Sequence, residues 1–177
     1  MLTSTSSFSM AKHIVLMTNA REVLMYYMEL RGDLMENNSY FESKFLNTNG
    51  SFAIYQLKPG EENDQIRFLS YANAENKGVQ IKRELYNCVF CGDLSEVCEN
   101  MLKKRTVVAG KNPRKIFNTP AVIQEIYHMT CYNQSYLSEF DTRGTYISDV
   151  IGLNIKGTTE YYYINFNGFH ILSGFTA

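Results

Sequence analysis

Residues 161–171, YYYINFNGFHI, are the stretch that decides the fold. Aromatic and β-branched side chains on both sides of Asn167-Gly168 favour β-strands, and Asn-Gly is typical of a tight hairpin turn because both residues tolerate a positive φ. A third strand is predicted at Tyr146–Leu153, joined to the hairpin by a turn at Lys156-Gly157. The end of the chain therefore predicts an antiparallel β-meander.

Two further strands are predicted upstream of the meander. Residues 52–57 are rich in aromatic and β-branched side chains, and a loop is expected after them. Residues 86–90 alternate, so that Tyr86, Cys88 and Phe90 are predicted to share one face of a strand.

Helices are predicted where a capping residue precedes apolar residues at helical spacing. They cover residues 19–32, 40–46, 71–77, 93–105 and a segment that begins at Thr119-Pro120. Helices and strands together predict an α+β domain over residues 51–177, with a mostly antiparallel sheet and helices packed on one side. Residues 1–50 are predicted to form a flexible tail and a helical extension.

The composition is that of one globular domain with a modest extension. Of the 177 residues 45% are hydrophobic, with 13 Tyr and 11 Phe, which is enough apolar material for a core. No apolar stretch approaches the roughly 18 residues of a membrane span, and no signal-peptide core is present. We therefore expect a cytoplasmic protein without a membrane partner, whose four cysteines are reduced.

Basic residues are concentrated in one segment, although the net charge is only −1. Between Met101 and Gln124 there are six basic residues and no acid: Lys103, Lys104, Arg105, Lys111, Arg114 and Lys115. Such a cluster is suited to contacts with the phosphates of RNA. In the alternative interpretation the first three compensate a helix C-terminus and the rest lie in a solvated loop.

Two cysteine-containing pairs have the spacing of a zinc site. They are Cys88-x-x-Cys91 and His128-x-x-Cys131. In a continuous strand, however, Cys88 and Cys91 would point to opposite faces, so small buried thiols are the favoured interpretation. Phosphate-binding loops, hydrolase elbows and zinc-protease motifs are missing from the sequence, and we expect neither a metal nor a cofactor.

A set of residues suited to RNA cleavage without a metal is nevertheless present. Such cleavage needs a proton acceptor for the 2′-hydroxyl, a proton donor for the leaving 5′-oxygen and a cation near the phosphate. Candidates for these roles are Tyr55, Lys58, Asp149 and Tyr163. Spacing alone does not show that they converge.

Several segments, in order, resemble the YodL-like domain. They are Phe52–Lys58, Phe68–Ser70, Tyr86–Leu94, Ile126-Tyr127, Phe140, Ser148–Ile151 and Tyr162–Asn165 with Gly168-Phe169. YodL-like domains occur in phages, prophages and conjugative elements, and some relatives are anti-CRISPR proteins that shorten the guide RNA of type II systems. The resemblance implies an anti-defence protein in the cytoplasm of a bacterial host, with a guide RNA and a type II CRISPR effector nuclease as partners.

The activity that the resemblance implies is binding of the guide RNA and promotion of its truncation, and the chain itself is a candidate ribonuclease. One alternative is a non-catalytic protein-binding module of a mobile genetic element that blocks the effector or recruits a host ribonuclease. A structural accessory domain is another.

The chain departs from the family pattern at two positions. Arg143 stands where the family usually has a histidine, which makes Arg143 a further candidate for RNA contact. Asn165 replaces the aspartate of the closing hairpin and cannot act as a general base. A catalytic role at either position would therefore pass to Asp149, Lys58 or a tyrosine.

Overall fold

The computed structural model describes residues 38–105, 118–132 and 142–176. All of them belong to one compact unit, residues 38–177. The helix predicted at 19–32 and most of the loop predicted after Arg105 lie outside the described residues.

The centre of this unit is a five-stranded sheet in the order β2-β1-β3-β4-β5. The strands are β1 (Ser51–Leu57), β2 (Tyr86–Asp93), β3 (Val150–Ile155), β4 (Thr158–Asn165) and β5 (Gly168–Ile171). Each neighbouring pair is antiparallel. With the helices described next, this confirms the predicted α+β fold and its antiparallel sheet.

Three of the helices begin at a side-chain cap, while the helix that follows Gly60 begins without one. They are α1 (residues 38–47), α2 (Glu61–Asp64), α3 (Tyr71–Asn76), α4 (Leu94–Arg105) and α5 (Thr119–Tyr132), with a 3₁₀ turn at Arg83–Leu85. Ser70 caps α3 by accepting a hydrogen bond from the backbone N–H of Asn73, as predicted. Helix α5 is capped by Asn118, whose side chain accepts from the N–H of Ala121.

Three predictions about the positions of elements were wrong. Strand β3 begins at Val150, not at Tyr146, because Ser148 has a φ of 75° and the chain turns before it joins the sheet. The last hairpin pairs Asn165 with Gly168, so its turn is Phe166-Asn167, and Gly168 holds the positive φ directly after it. The loop expected after β1 contains α2.

Strand β2 contains a bulge that the alternating pattern hides. Ile54 pairs with Phe90 and Tyr55 with Cys88, so Val89 is an extra residue on β2. Side chains beyond the bulge change face, and Phe90 therefore packs on the opposite side of the sheet from Tyr86 and Cys88. The prediction that these three residues share a face was wrong.

Both faces of the sheet are covered. The two long helices, α4 and α5, pack on one face through residues such as Val97, Met101 and Ile126. The other face is covered by Phe41 and Phe45 of α1 and by the C-terminal residues Leu172 and Phe175, among others. Every residue of β1 is therefore buried, which is why this strand lacks a clear polar face.

Candidate functional site

One end of the sheet brings several predicted residues together. Val150, the first residue of β3, pairs with Tyr55 of β1 and with Tyr163 of β4. Asp149 precedes Val150, and Lys58 directly follows the end of β1 at the same end of the sheet. The antiparallel register thus gathers residues that are about a hundred positions apart in the sequence.

Asp149 and Arg143 form a two-pronged ion pair at this end of the sheet. Arg143 Nη1 donates to Asp149 Oδ2 at 2.7 Å, and Nη2 donates to Oδ1 at 2.6 Å. The backbone N–H of Tyr146 donates to Oδ2 at 2.8 Å. Asp149 has no exposed side-chain surface, whereas 35% of the Arg143 side chain is exposed. The carboxylate therefore orients an arginine whose outer side faces solvent.

The pKa of Asp149 is consistent with a carboxylate that orients Arg143. Burial raises the pKa of Asp149 to about 6, against the lowering effect of Arg143 and of the Tyr146 N–H. The group is consequently ionised at neutral pH, with both oxygens already accepting hydrogen bonds. This geometry suits a positioning residue better than a group that exchanges protons with a substrate.

Two buried tyrosines connect loops to the same end of the sheet. The hydroxyl of Tyr163 donates to the backbone oxygen of Leu69 at 2.9 Å, and that of Tyr86 donates to the backbone oxygen of Ser148 at 3.0 Å. Burial and the nearby charge of Asp149 raise the pKa of both phenols. Tyr163, predicted as catalytic, is thus an uncharged residue that holds the 66–70 loop in place.

The two loops meet at a strained contact. Phe68 and Ser148 both have a positive φ, of 66° and 75°, a conformation that costs a non-glycine residue roughly 1–3 kcal/mol. The N–H of Phe68 donates to Ser148 Oγ at 3.1 Å. The Phe68 ring is 53% exposed and lies edge-to-face with the 51% exposed ring of Tyr146, with 5.9 Å between centroids. The fold therefore holds two aromatic rings at the surface at an energetic cost.

We call Arg67, Phe68, Arg143 and Tyr146 the arginine–aromatic patch. Arg67 directly precedes Phe68 in the chain, and its charge lowers the pKa of Asp149. Arg67 also pairs with Asp64 at 3.0 Å. The side chains of Arg67 and Arg143 are 27% and 35% exposed. Exposed aromatic rings and guanidinium planes are groups on which a flat ligand such as a nucleobase can stack. Sequence reasoning singled out Arg143 but missed its neighbours, although each exposed ring follows within three residues of an arginine.

Tyr55 has different neighbours. It is fully buried on the α1 side of the sheet, with the Arg83 guanidinium 4.8 Å from its ring centre and Glu42 Oε1 3.5 Å from its hydroxyl. Burial raises the pKa of Tyr55 far above its ordinary value. None of these groups is a partner of Asp149, so the structure does not bring Tyr55 into the arginine–aromatic patch. Lys58 is half-buried, and its backbone bonds to Leu85 and Asn63.

The predicted basic cluster is only partly described. Lys104 Nζ donates to Glu125 Oε1 at 2.6 Å and joins α4 to α5, while Lys103 lies 3.9 Å from Glu99 on its own helix. The side chain of Arg105 and all of Lys111, Arg114 and Lys115 lie outside the described residues. The two lysines that are described thus have acidic partners within the fold.

The two cysteine-containing pairs do not converge. The bulge at Val89 puts Cys88 and Cys91 into one core cluster, so the expectation that they point to opposite faces was wrong. His128 is exposed on α5, on the other side of the sheet. Across residues 38–105, 118–132 and 142–176, no three His, Cys, Asp or Glu side chains are grouped as metal ligands. Burial raises the pKa of the Cys88 thiol to about 12.

A polar groove of about 780 Å³ lies elsewhere, between the 71–84 segment and the C-terminal residues 173–176. Its lining includes Val79, Ile81 and Arg83 but none of the residues predicted for the site. In the described part of the chain, no helix has the length and apolarity to cross a membrane.

A family model described as the YodL-like domain matches residues 51–175, which is more than half of the chain and includes all five strands and the arginine–aromatic patch. Neither a curated protein nor a solved structure matches the chain.

Proposed function

Because the chain belongs to the YodL-like domain family, we propose that it inhibits a type II CRISPR effector by binding the guide RNA and promoting its truncation. The target class comes from the resemblance of this family to anti-CRISPR proteins that shorten guide RNA. The feature of the fold that supports RNA as the ligand is the arginine–aromatic patch. Exposed aromatic rings and guanidinium planes are the groups with which proteins hold unpaired RNA bases.

The position of the patch also supports this proposal. Phe68 and Tyr146 are exposed, whereas ten of the eighteen tyrosines and phenylalanines among the described residues are buried. The strained residues are Phe68 itself and its hydrogen-bond partner Ser148, two positions after Tyr146. Strained backbone conformations cluster at ligand sites. We therefore assign contact with guide RNA to this end of the sheet, together with Lys58 and the basic segment 103–115.

A second candidate function is favoured by the burial of the predicted catalytic groups. Asp149, Tyr55 and Tyr163 are fully buried, and their side chains already bond to other parts of the fold. A chain that uses these groups for structure would bind guide RNA or effector without cutting. It would act as a non-catalytic module that blocks the effector or recruits a host ribonuclease.

The experiment that separates these functions follows the length of end-labelled guide RNA on a gel. Purified protein is incubated with guide RNA alone, with the loaded effector and with a host extract, each with and without EDTA. Shortened RNA with purified protein alone would make the chain the ribonuclease. Shortening only in the host extract would identify the recruiting module. Full-length RNA together with an uninhibited effector in every arm would overturn both.

Substitutions then locate the activity. Tyr146→Ala removes a half-exposed ring of the patch, and we expect it to reduce truncation or inhibition. Phe166→Ala removes a ring that is 67% exposed at the last hairpin turn and is the matched control. Equal activity of both variants and the wild type would remove the patch from the mechanism.

A further inference from the structure

We propose that the arginine–aromatic patch binds an unpaired nucleobase of single-stranded RNA, which stacks on the rings of Phe68 and Tyr146. That the RNA is a guide rests on the proposed function. The single-stranded ligand and the stacking contact are argued from the geometry of the patch.

The shape of the ring pair suits a single unpaired base. The planes of Phe68 and Tyr146 meet at 79°, with 5.9 Å between centroids, so the two rings form a corner and not a flat sheet. About half of each side chain is exposed. A single planar base can lie against the face of one ring and meet the other ring at its side, which is a contact of the aromatic-pair type. A base inside a duplex has both of its faces covered by neighbouring bases and cannot enter such a corner.

The charges of the patch do not favour binding of a duplex. Arg143 is paired with the buried Asp149, and Arg67 with the exposed Asp64. These four formal charges cancel, so the patch does not present the excess positive charge on which binding of a duplex backbone depends. Stacking is nearly independent of charge and is available at every unpaired base. The patch therefore favours single strands over duplexes.

Hydrogen bonds hold the groups of the patch in place before a ligand binds. Three hydrogen bonds fix the guanidinium of Arg143, two to Asp149 and one to the backbone oxygen of Gly144. The bond from Phe68 N–H to Ser148 and the bond from Tyr163 to Leu69 fix both sides of the loop that carries Phe68. Groups that are already ordered lose little conformational entropy on binding. A small contact with one base can then contribute measurable affinity.

The sequence offers a direct test because it contains no tryptophan. A Tyr146→Trp variant keeps an aromatic ring in the corner and creates a single fluorescent reporter there. We expect single-stranded RNA to quench its emission, and a duplex of the same length and an RNA with abasic nucleotides to quench it much less. Phe166→Trp places the same reporter at another exposed aromatic site and should not respond. Equal quenching of the two reporters, or equal quenching by single-stranded and duplex RNA, would overturn the proposal.

Affinity measurements give the second readout. Tyr146→Ala should weaken binding of single-stranded RNA by about tenfold or more, the loss typical of one stacked base, and Tyr146→Phe should restore most of it. The melting temperature of each variant, measured in parallel, shows whether the protein is folded. A folded Tyr146→Ala variant that binds single-stranded RNA as tightly as the wild type would exclude the stacking contact.

These RNA measurements use no effector, so they can fail separately from the proposed function. Stacking without guide truncation or effector inhibition would support the site and overturn the proposed function. Truncation and inhibition that persist in Tyr146→Ala would support the proposed function and overturn the site. If Tyr146→Ala loses binding to the effector protein while its RNA affinity is unchanged, the patch is a protein interface and the proposal is wrong.

Discussion

The backbone N–H of Phe68 donates a hydrogen bond of 3.1 Å to the side-chain oxygen of Ser148, and both residues hold a positive φ. Two strained residues from segments 80 positions apart therefore stabilise one another. Removing this bond releases the loop that carries the exposed Phe68 ring, so the stability of the fold and the shape of the arginine–aromatic patch depend on the same contact.

Substitutions at Ser148 should separate the hydrogen bond from the backbone strain. Ser148→Ala loses the bond and keeps the strain, and we expect it to lower the free energy of unfolding by about 1–2 kcal/mol. Ser148→Gly also loses the bond but adopts the positive φ without penalty, so it should be less destabilising than Ser148→Ala by about 1 kcal/mol. Urea denaturation measures both. Equal losses in the two variants would contradict the assigned strain.

Removing either member of the Arg143–Asp149 pair should have unequal effects. Arg143→Ala leaves a fully buried carboxylate without its partner, which typically costs about 3–5 kcal/mol of unfolding free energy. Asp149→Asn removes the buried charge and leaves an arginine that water can reach, so its cost should be smaller. Denaturation at pH 7.5 decides the order, and a larger loss for Asp149→Asn would show that the carboxylate is not the buried member of the pair.

The raised pKa of Asp149 predicts a specific dependence of stability on pH. This carboxyl titrates near 3.8 in an unperturbed chain and at about 6 in the folded protein, so between these values the folded state binds the proton more strongly. The contribution of Asp149 to stability is therefore largest below pH 4, decreases by about 3 kcal/mol as the pH rises to 6, and is constant above it. The comparison is between wild type and Asp149→Asn from pH 4 to 8. A difference between the two proteins that is independent of pH would refute the assignment.

A methyl group at Gly152 should collide with the core on the α1 side of the sheet. A Cβ at this position would lie 2.9 Å from Phe45 Cζ and 3.2 Å from Tyr55 Cε2, and overpacking of this kind costs about 1–3 kcal/mol. Gly152→Ala should therefore lower the melting temperature. The double variant Gly152→Ala/Phe45→Leu should recover part of the loss, because leucine lacks the ring atom that is in the way. Additive losses would contradict the assigned contact.

The basic segment beyond α4 should control the salt dependence of RNA binding. If Lys111, Arg114 and Lys115 each contact a phosphate, reversing all three charges to Glu should reduce the slope of log affinity against log salt by about two. Reversing Lys44, Lys77 and Lys156, three exposed lysines outside this segment, to Glu makes the same change in net charge and is the matched control. An unchanged slope in the Lys111, Arg114 and Lys115 variant would confine RNA binding to other surfaces.

Local signals predicted much of the fold. Ser70 and the Lys156-Gly157 turn act through short-range hydrogen bonds and φ preferences, which are visible in a few neighbouring residues. The bulge at Val89 is not visible in this way, because an alternating strand looks the same with or without an unpaired residue opposite it. Its position depends on how β1 and β2 fit together over their whole length.

The candidate site was less predictable than the fold. Arg143 and Asp149 were each identified, but for different roles, since only the turn before β3 shows that their side chains bond. Phe68 and Ser148 carry no preference for a positive φ in their residue types, so the contact between them could not be read from the sequence. Tyr55 was taken for a reactive residue because nothing local reveals that both faces of the sheet are covered.

Among the described residues, strand β2 lies at an outer edge of the sheet. The backbone donors and acceptors on one side of its eight residues are not paired with any of the other four described strands. A long regular edge is a template on which a second molecule can add a strand. The extra residue at Val89 interrupts the even spacing of those donors and acceptors, so an incoming strand cannot match them along the full length. The irregularity that moves Phe90 into the opposite core therefore also protects the protein against edge-to-edge aggregation.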